Sequence, residues 1–511
     1  SSSNIFLKKT YSSNTQGCVK RLLTHSRYKL TINAYVMNLA AITRMGSYFL
    51  TLFLFTLIPS AGNAGQYKPD QPEKTKPYKK VSEHSNLQQT LPSNDEWWQL
   101  FKDPILDTLI NKAVIKNYDV RNAIRKIEMA KAKLRVDRSP YYPTIYFSAN
   151  YAPEKSSLSA DKKNIIERNG TATVNLNWEL DVFGRIRKES SSQKEFYLAA
   201  QEDYRGVMVS LAAQLSTAYI NLRSAQKQLE VTRENIESQK KVMELTESRF
   251  KLGLASQLDA AQAKSLYLQT KASLPRIEST IAQQINLIGV LIGEHSVAIR
   301  DSLLKIRPIP TNPRQAANGI PANLIRQRPD VRSAERTIDG LAEAVGASRA
   351  DWWPKFLVTG FFGYSSENFE QFTNKENMIW QIAPSIKWTI FSGRNLVESK
   401  KSAQLQLDEE INSYNQTLLT ALQEVDNALV TYNKSLLQIS ALNDAFQQSQ
   451  LTLDLAIEQY KNGLASYQTV LSSQISLLNY ENSLVEARTA SLRYLIELYQ
   501  ALGGGWPVGD F

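Results

Sequence analysis

Arg249-Phe250-Lys251-Leu252-Gly253-Leu254-Ala255-Ser256 is answered later in the chain by Gln459-Tyr460-Lys461-Asn462-Gly463-Leu464-Ala465-Ser466: the same Gly-Leu-Ala-Ser, each time three residues after an aromatic. The offset, 210 from Gly253 to Gly463, is shared by much of what lies upstream. Asp119-Val120-Arg121 returns as Asp330-Val331-Arg332, and Ala123, Arg125, Ile127 and Arg138 return as Ala334, Arg336, Ile338 and Arg349. Tyr141-Tyr142-Pro143 becomes Trp352-Trp353-Pro354, Trp178 becomes Trp388, and Phe183-Gly184-Arg185 becomes Phe391-Ser392-Gly393-Arg394. Offsets stay between 208 and 211. One structural unit has been duplicated in tandem.

Residues 395–462 contain neither Gly nor Pro. A helix of that length, at about 1.5 Å per residue, is a rod of roughly 100 Å. Within it Leu407, Ile411, Tyr414, Leu418, Ala421, Val425, Ala428 and Tyr432 step alternately by four and three, the 3.5-residue seam of helices packed along their length. The matching stretch, 185–252, has only Gly206 as a weak point, and after each tetrapeptide the pattern is helical again, to about 291 and 502. Each Gly-Leu-Ala-Ser is therefore predicted to be the tip of a helical hairpin. Gly253 and Gly463 would take the left-handed conformation at a helix C-terminus, and Ser256 and Ser466 would cap the next helix. Turn chemistry alone accounts for the glycines; function depends on where the tips point.

Strand signals precede each rod. Ala172, Val174, Leu176, Trp178, Leu180 and Val182 alternate with Thr173, Asn175, Asn177, Glu179 and Asp181. Trp380, Ile382, Pro384, Ile386, Trp388 and Ile390 repeat the pattern, and shorter partners run from 145 to 151 and from 356 to 364. Strict period two means strands with one apolar face. A half-buried sheet in a soluble domain fits this equally well. The aromatics at the strand ends, Tyr141, Tyr142, Trp178, Trp352, Trp353 and Trp388, favour the interfacial girdles of a membrane barrel.

The formal net charge of +11 invites a nucleic-acid reading. Residues 1–64, however, hold seven Lys and Arg and no acid, which leaves +4 on the other 447 residues. Within this leader Arg44 precedes a mostly apolar run over 48–58, then Pro59 and Gly62-Asn63-Ala64. That order reads as a secretory signal peptide cleaved near Ala64, starting at Met37 or Met45, with 1–36 as upstream reading frame. An organellar transit peptide is the alternative. The run is too short for a membrane-spanning helix, which needs about 20 residues. The sole cysteine, Cys18, lies in the leader, so the chain beyond it has no disulfide, no thiolate metal site and no lipidation cysteine at the expected new N-terminus, Gly65. Four prolines over 65–95 among Lys, Gln and Ser indicate an extended segment, and four more over 308–321 separate the two repeats.

No catalytic constellation is legible. His84 and His295 lack metal-ligand spacing. Gly503-Gly504-Gly505 follows a helix and lacks the Lys-Ser/Thr of a phosphate loop, so it reads as a C-cap. Lys240-Lys241 reads as solvated surface rather than a nucleic-acid contact. No metal, cofactor or nucleic-acid partner is expected. Four strands cannot close a barrel, for which about eight is the narrowest case, and an open edge is not tolerated in lipid. Several chains must pool their strands, and their rods would form a second cylinder outside the membrane.

At this point the sequence resembles the TolC-like outer-membrane factors, in particular the subgroup serving RND-type multidrug efflux pumps. The likeness rests on Trp97-Trp98 with Phe101, Asp103-Pro104 and Leu106; on the run from Ala123 to Pro143; on Trp178-Glu179-Leu180-Asp181-Val182-Phe183-Gly184-Arg185; on the aromatic-x-x-Gly tips at Phe250 and Tyr460; on Leu274-Pro275; and on Ala501-Leu502-Gly503-Gly504-Gly505-Trp506. It implies a mainly α fold with β: a tandem-duplicated channel whose helical hairpins form a periplasmic α-barrel, and a homotrimer whose four strands per chain make a 12-stranded barrel in outer-membrane lipid. It also implies docking to a periplasmic adaptor and an inner-membrane RND-type transporter in a Gram-negative cell. The expected layout is a leader over 1–64, an extended segment over 65–95, repeats over 96–300 and 321–511, and a linker over 301–320. The expected tip and gate residues are Phe250, Gly253, Ser256, Asp259, Tyr460, Gly463, Ala465, Ser466, Thr469 and Ser472. Family members commonly carry acids in the second tip; Ala465, Thr469 and Ser472 stand there instead, while the first tip offers Asp259.

Within the channel reading, type I secretion or metal efflux are alternatives to drug efflux. A periplasmic coiled-coil scaffold without a pore is a rival that leaves the aromatic strand margins unexplained, and a periplasmic glycan hydrolase is disfavoured because the repeated motifs hold turn and packing residues.

Overall fold

The computed structural model describes residues 96–156, 165–310, 322–367 and 369–504, all within one compact unit spanning Tyr67–Phe511. The leader, its expected cleavage site and the extended segment lie outside the described residues. In chain order the elements are α1 (Pro104–Lys116), α2 (Tyr118–Arg138), β1 (Thr144–Ser156), β2 (Ile165–Leu180), α3 (Arg185–Lys251), α4 (Gln257–Ala272), α5 (Leu274–Leu291) and α6 (Val297–Leu303). The second half follows with α7 (Pro329–Ala350), β3 (Lys355–Ser366), β4 (Met378–Lys387), α8 (Asn395–Lys461) and α9 (Tyr467–Ala501). Short 3-10 turns link some of them.

The two rods, α3 and α8, are 67 residues each, or roughly 100 Å. The four-three row predicted on α8 is its packing seam. Leu407, Tyr414 and Ala421 bury against Val331, Ile338 and Val345 of α7, with Ile411 and Leu418 partly buried beside them. Further along, Val425 and Ala428 bury against Leu498 and Ala501 of α9 and Leu502 just after it. One stripe therefore serves two shorter helices in succession, α7 and then α9. In the first half the helix after the tip is not continuous: it breaks at Ser273 into α4 and α5. Pro275 has no N–H for the helix ladder and its ring crowds the preceding turn, and the Ser273 hydroxyl closes the break by donating to the Thr270 carbonyl at 2.7 Å. No proline occurs in α9, which runs 35 residues unbroken.

The four strands form one antiparallel sheet in the order β1-β2-β3-β4. Register aligns Phe147, Val174, Phe362 and Trp380 in one row, and Ile145, Leu176, Gly360 and Ile382 in the next. These rows make one face almost wholly apolar, whereas the other mixes Ser148, Thr173, Asn175, Thr359 and Gln381 with Leu357, Phe361 and Ile379. Ile382 is 72% exposed and Phe147 68%; nothing among the described residues covers them. Two strands end earlier than their alternation predicts. β2 stops at Leu180, which pairs with Phe356 near the start of β3, and Asp181 turns away to accept from the Ile186 and Arg187 N–H groups at the start of α3. β4 stops at Lys387 rather than Ile390, because Lys387 pairs with Lys355, the first residue of β3, and among the described residues no strand pairs with its other side.

At the middle of the rods a second core joins the chain's halves. Trp97 stacks on Tyr499 at 5.4 Å. The fully buried Arg223 lies over the Tyr219 ring at 4.7 Å and donates to the Lys305 carbonyl at 2.9 Å and to Gln226 at 2.7 Å. Arg328 donates to the Ala501 carbonyl and pairs with Asp330 and Glu424, each at 2.8 Å. Burial opposes the Asp330 charge, but the Arg328 bond outweighs it and holds this carboxyl below its ordinary value. Gly503, at φ 83°, packs so close to this arginine that a side-chain carbon would lie 2.9 Å from the Arg328 Cα, which explains the first glycine of the closing triplet.

Candidate functional site

Both Gly-Leu-Ala-Ser segments close helices in the same way. Gly253 has φ 74° and so has Gly463. The Gly253 N–H donates to the Phe250 carbonyl at 2.9 Å and the Leu254 N–H to the Arg249 carbonyl at 2.8 Å; Gly463 and Leu464 repeat this with Tyr460 and Gln459 at 3.0 and 2.8 Å. These paired bonds are the Schellman arrangement, which satisfies carbonyls that the helix end leaves free and requires a left-handed residue.

The caps that follow are not equivalent. Ser256 accepts from the Asp259 N–H while the Asp259 carboxylate accepts from the Ser256 N–H, a complete capping box. Asp259 is thereby engaged in holding α4. Ser466 makes no side-chain cap, contrary to expectation. Thr469 stands where the acid would be, and its hydroxyl lies 3.3 Å from the Ser466 hydroxyl, so the two side chains satisfy each other instead of the backbone.

The structure brings the two tips side by side. Arg249 donates to the Lys461 carbonyl at 3.0 Å, and its guanidinium sits 4.7 Å above the Tyr460 ring. Tyr460 meets Tyr467 edge-on at 6.0 Å. Burial first, then the neighbouring Tyr460 and Asp259, push the Tyr467 hydroxyl up to about 12. Tyr460 is 4% exposed whereas Phe250, its counterpart, is 43% exposed; within one chain only the tyrosine packs the hairpins together. Ala465 is half-buried, and Thr469 and Ser472 are exposed, with the Ser472 hydroxyl donating to the Thr469 carbonyl at 3.0 Å. The sequence reading missed Arg249. Its signal was a basic residue directly before the aromatic in the first tip, where the second has Gln459.

The strand-end aromatics collect at the end of the sheet from which the helices leave. The Trp178 indole donates to the Tyr141 carbonyl at 3.1 Å, and the Trp388 indole to the Trp352 carbonyl at the same distance, so the duplicated motif makes a duplicated bond. Trp353 stacks on Phe183 at 5.2 Å, while Tyr142 is exposed. Beneath them Arg185 bonds Glu179 at 2.9 Å and Glu189 at 2.8 Å, tying the start of α3 to the end of β2, and Lys355 bonds Asp351 at 2.9 Å, tying the start of β3 to the end of α7. Among the described residues there is no cluster of three or more metal-capable side chains and no helix long and apolar enough to cross a membrane.

A family model described as outer membrane efflux protein matches residues 109–294 and again 320–504. The solvent efflux pump outer membrane protein SrpC of Pseudomonas putida is 32% identical over 418 residues, covering 81% of this chain and 88% of its own length. Among solved structures, the outer-membrane channel OprN superposes with a TM-score of 0.77 at 28% identity, over 80% of this chain and 92% of that one. The outer membrane protein VceC of Vibrio cholerae gives 0.73 at 25% identity, over 81% and 99%.

Proposed function

The chain belongs to the outer membrane efflux protein family, and on that premise we propose that three copies form a passive exit duct in which the sheets close a 12-stranded barrel and the rods enclose a periplasmic tunnel. The unfinished sheet is the observation that carries this reading. β1 and β4 are its edges, its apolar face is bare, and open edges are not tolerated in lipid. Within the chain β2 reaches Leu180 because β3 pairs with it. The equivalent residue of β4 is Ile390, left 85% exposed, and a neighbouring β1 would let β4 continue to it. Two copies would supply eight strands, whose interior side chains just fill; a duct needs more, and three copies supply twelve.

In this arrangement Trp178, Trp388 and their aromatic neighbours mark the periplasmic edge of the membrane, and the tips lie roughly 100 Å away as the entrance met by a periplasmic adaptor. The duct would pass small toxic compounds handed over by an inner-membrane RND-type pump, and it performs no catalysis. The repeats over 96–300 and 321–511, joined by 301–320, are the two structural units of each wall. Mass measurement of the detergent-purified protein is expected to give a trimer. A monomer that stays soluble without detergent would instead support the non-pore scaffold.

A further inference from the structure

Two cavities flank the linker where it leaves α6. Arg223 donates to the Lys305 carbonyl at 2.9 Å and Gln226 to the Leu303 carbonyl at 2.8 Å. These bonds pin the stretch to α3 and make Ile306 a wall of both cavities. The two are copies of one another. The first, about 430 Å³, takes Gln226, Leu229 and Arg233 from α3 and Glu278 and Ala282 from α5. The second, about 1160 Å³, takes the residues 210 positions later, Leu436, Ile439 and Asn443 of α8 with Arg488 and Leu492 of α9. Duplication has kept the outline and changed the chemistry. In the first cavity Arg233 and Glu278 face each other as an ion pair at 3.4 Å. In the second they become Asn443 and Arg488, so the guanidinium has only the Asn443 side-chain oxygen, at 3.3 Å, and Gln226 and Ala282 both become leucine.

We infer that the second cavity binds a single-chain amphiphile with an oxyanion head, a fatty acid anion or a monoalkyl phosphate. It is built within one chain, so it stands apart from the trimeric duct. Its volume is ample for a small-molecule guest, for which about 300–1,000 Å³ is usual. The layout is lengthwise. From Leu436 to Asn443 α8 makes two turns, roughly 10 Å. Leu436 and Leu492 lie towards one end and the bonded pair Asn443 and Arg488 towards the other, while Ile439, Pro308 and Pro310 supply apolar wall for a chain. The charge favours an anion. Lys227 and Glu230 on the α3 side pair with each other at 3.2 Å. Among the described residues no carboxylate lies within ion-pair distance of Arg488, or of Arg307, which the linker adds to the lining. A guanidinium presents a fork of donors that matches a carboxylate or phosphate, and apolar walls beside it exclude water and strengthen the attraction. The first cavity is less suited, because Glu278 would repel an oxyanion drawn to Arg233 or Arg300 and the space is less than half as large.

The test uses the full-length protein purified in a maltoside detergent and a dodecanoic acid carrying a photoreactive diazirine on its chain. Labelling is expected on the peptides that hold Leu436, Ile439 and Leu492. Excess dodecanoate or dodecyl phosphate should displace it, the stronger competitor identifying the preferred head, whereas dodecyltrimethylammonium should not. Arg488→Glu, which restores the acid of the first repeat, is expected to lower labelling at least about tenfold, the loss that follows from removing a charge-assisted hydrogen bond. Arg488→Lys should retain most of it. Arg307→Gln lies outside any helix and is expected to weaken labelling with the rods untouched. Displacement by dodecyltrimethylammonium as readily as by dodecanoate would reveal an apolar cleft without charge selection and overturn the proposal. So would labelling confined to the bare face of the sheet, or Arg488→Glu and Arg307→Gln proteins that label as the unmodified one does. Each of these results leaves the trimeric duct standing, since the mass measurement tests that separately.

Discussion

Gly363→Val is expected to eliminate the membrane-inserted form while leaving the helical hairpins folded. Gly363 faces Thr173 across the β2–β3 ladder, and the two backbones approach so closely that a side-chain carbon would fall 2.0 Å from the Ala172 carbonyl oxygen and 2.7 Å from the Thr173 Cα. Both obstacles are backbone, which cannot swing aside as a side chain can, so the strands must separate. Overpacking a well-filled site costs about 1–3 kcal/mol and occasionally more, and here the loss falls on the one ladder that joins the two repeats within the sheet. Gly360→Val should be milder, since its nearest backbone atom is 2.9 Å from the added carbon. Outer-membrane fractionation and trimer yield check this. A Gly363→Val protein that inserts as well as the unmodified chain would show that the sheet register is wrong.

Gly463→Val is expected to abolish drug resistance in cells without reducing trimer yield. At the tip no neighbour obstructs a side chain: only the Arg249 guanidinium comes as near as 4.0 Å to Gly463, and nothing lies within that distance of Gly253. The cost is conformational. At φ 74° a residue other than glycine costs roughly 1–2 kcal/mol, more for a β-branched one, and the turn can relieve it only by moving Tyr460 and the Lys461 carbonyl away from Arg249. Gly463→Asn should retain activity, because asparagine tolerates the left-handed region. Drug susceptibility measured beside trimer yield separates the two readouts. Full resistance in Gly463→Val would remove the tips from the account of function.

Much of this architecture is legible in the sequence because it rests on local periodicity. The alternation through Val174 and Leu176 fixes which face of β2 is apolar, and the four-three row from Leu407 to Tyr432 fixes the packing side of α8. What is less legible depends on partners. Nothing near Ile390 announces that β4 must stop at Lys387, since strand length is set by the strand alongside. Phe250 and Tyr460 occupy matching positions in matching motifs, yet one is exposed and the other buried, because only the second tip has an arginine from the other hairpin laid over its ring. The Ser273 break was readable from Pro275 but is masked by the apolar pattern running through it. Arg223 shows the converse: a charged residue on a predicted rod is fully buried because backbone carbonyls from 303 and 305 converge on it.

The central claim, that this chain builds a duct gated at its tips, is most directly tested by single-channel recording in planar lipid bilayers on the purified trimer and its Ser472→Asp variant. Ser472 is exposed and uncharged beside the tip, and three carboxylates brought together there would repel one another across the symmetry axis. The account predicts discrete conductance steps from the unmodified protein and larger steps from Ser472→Asp. A protein that is trimeric by mass yet yields no conductance in either form would contradict it.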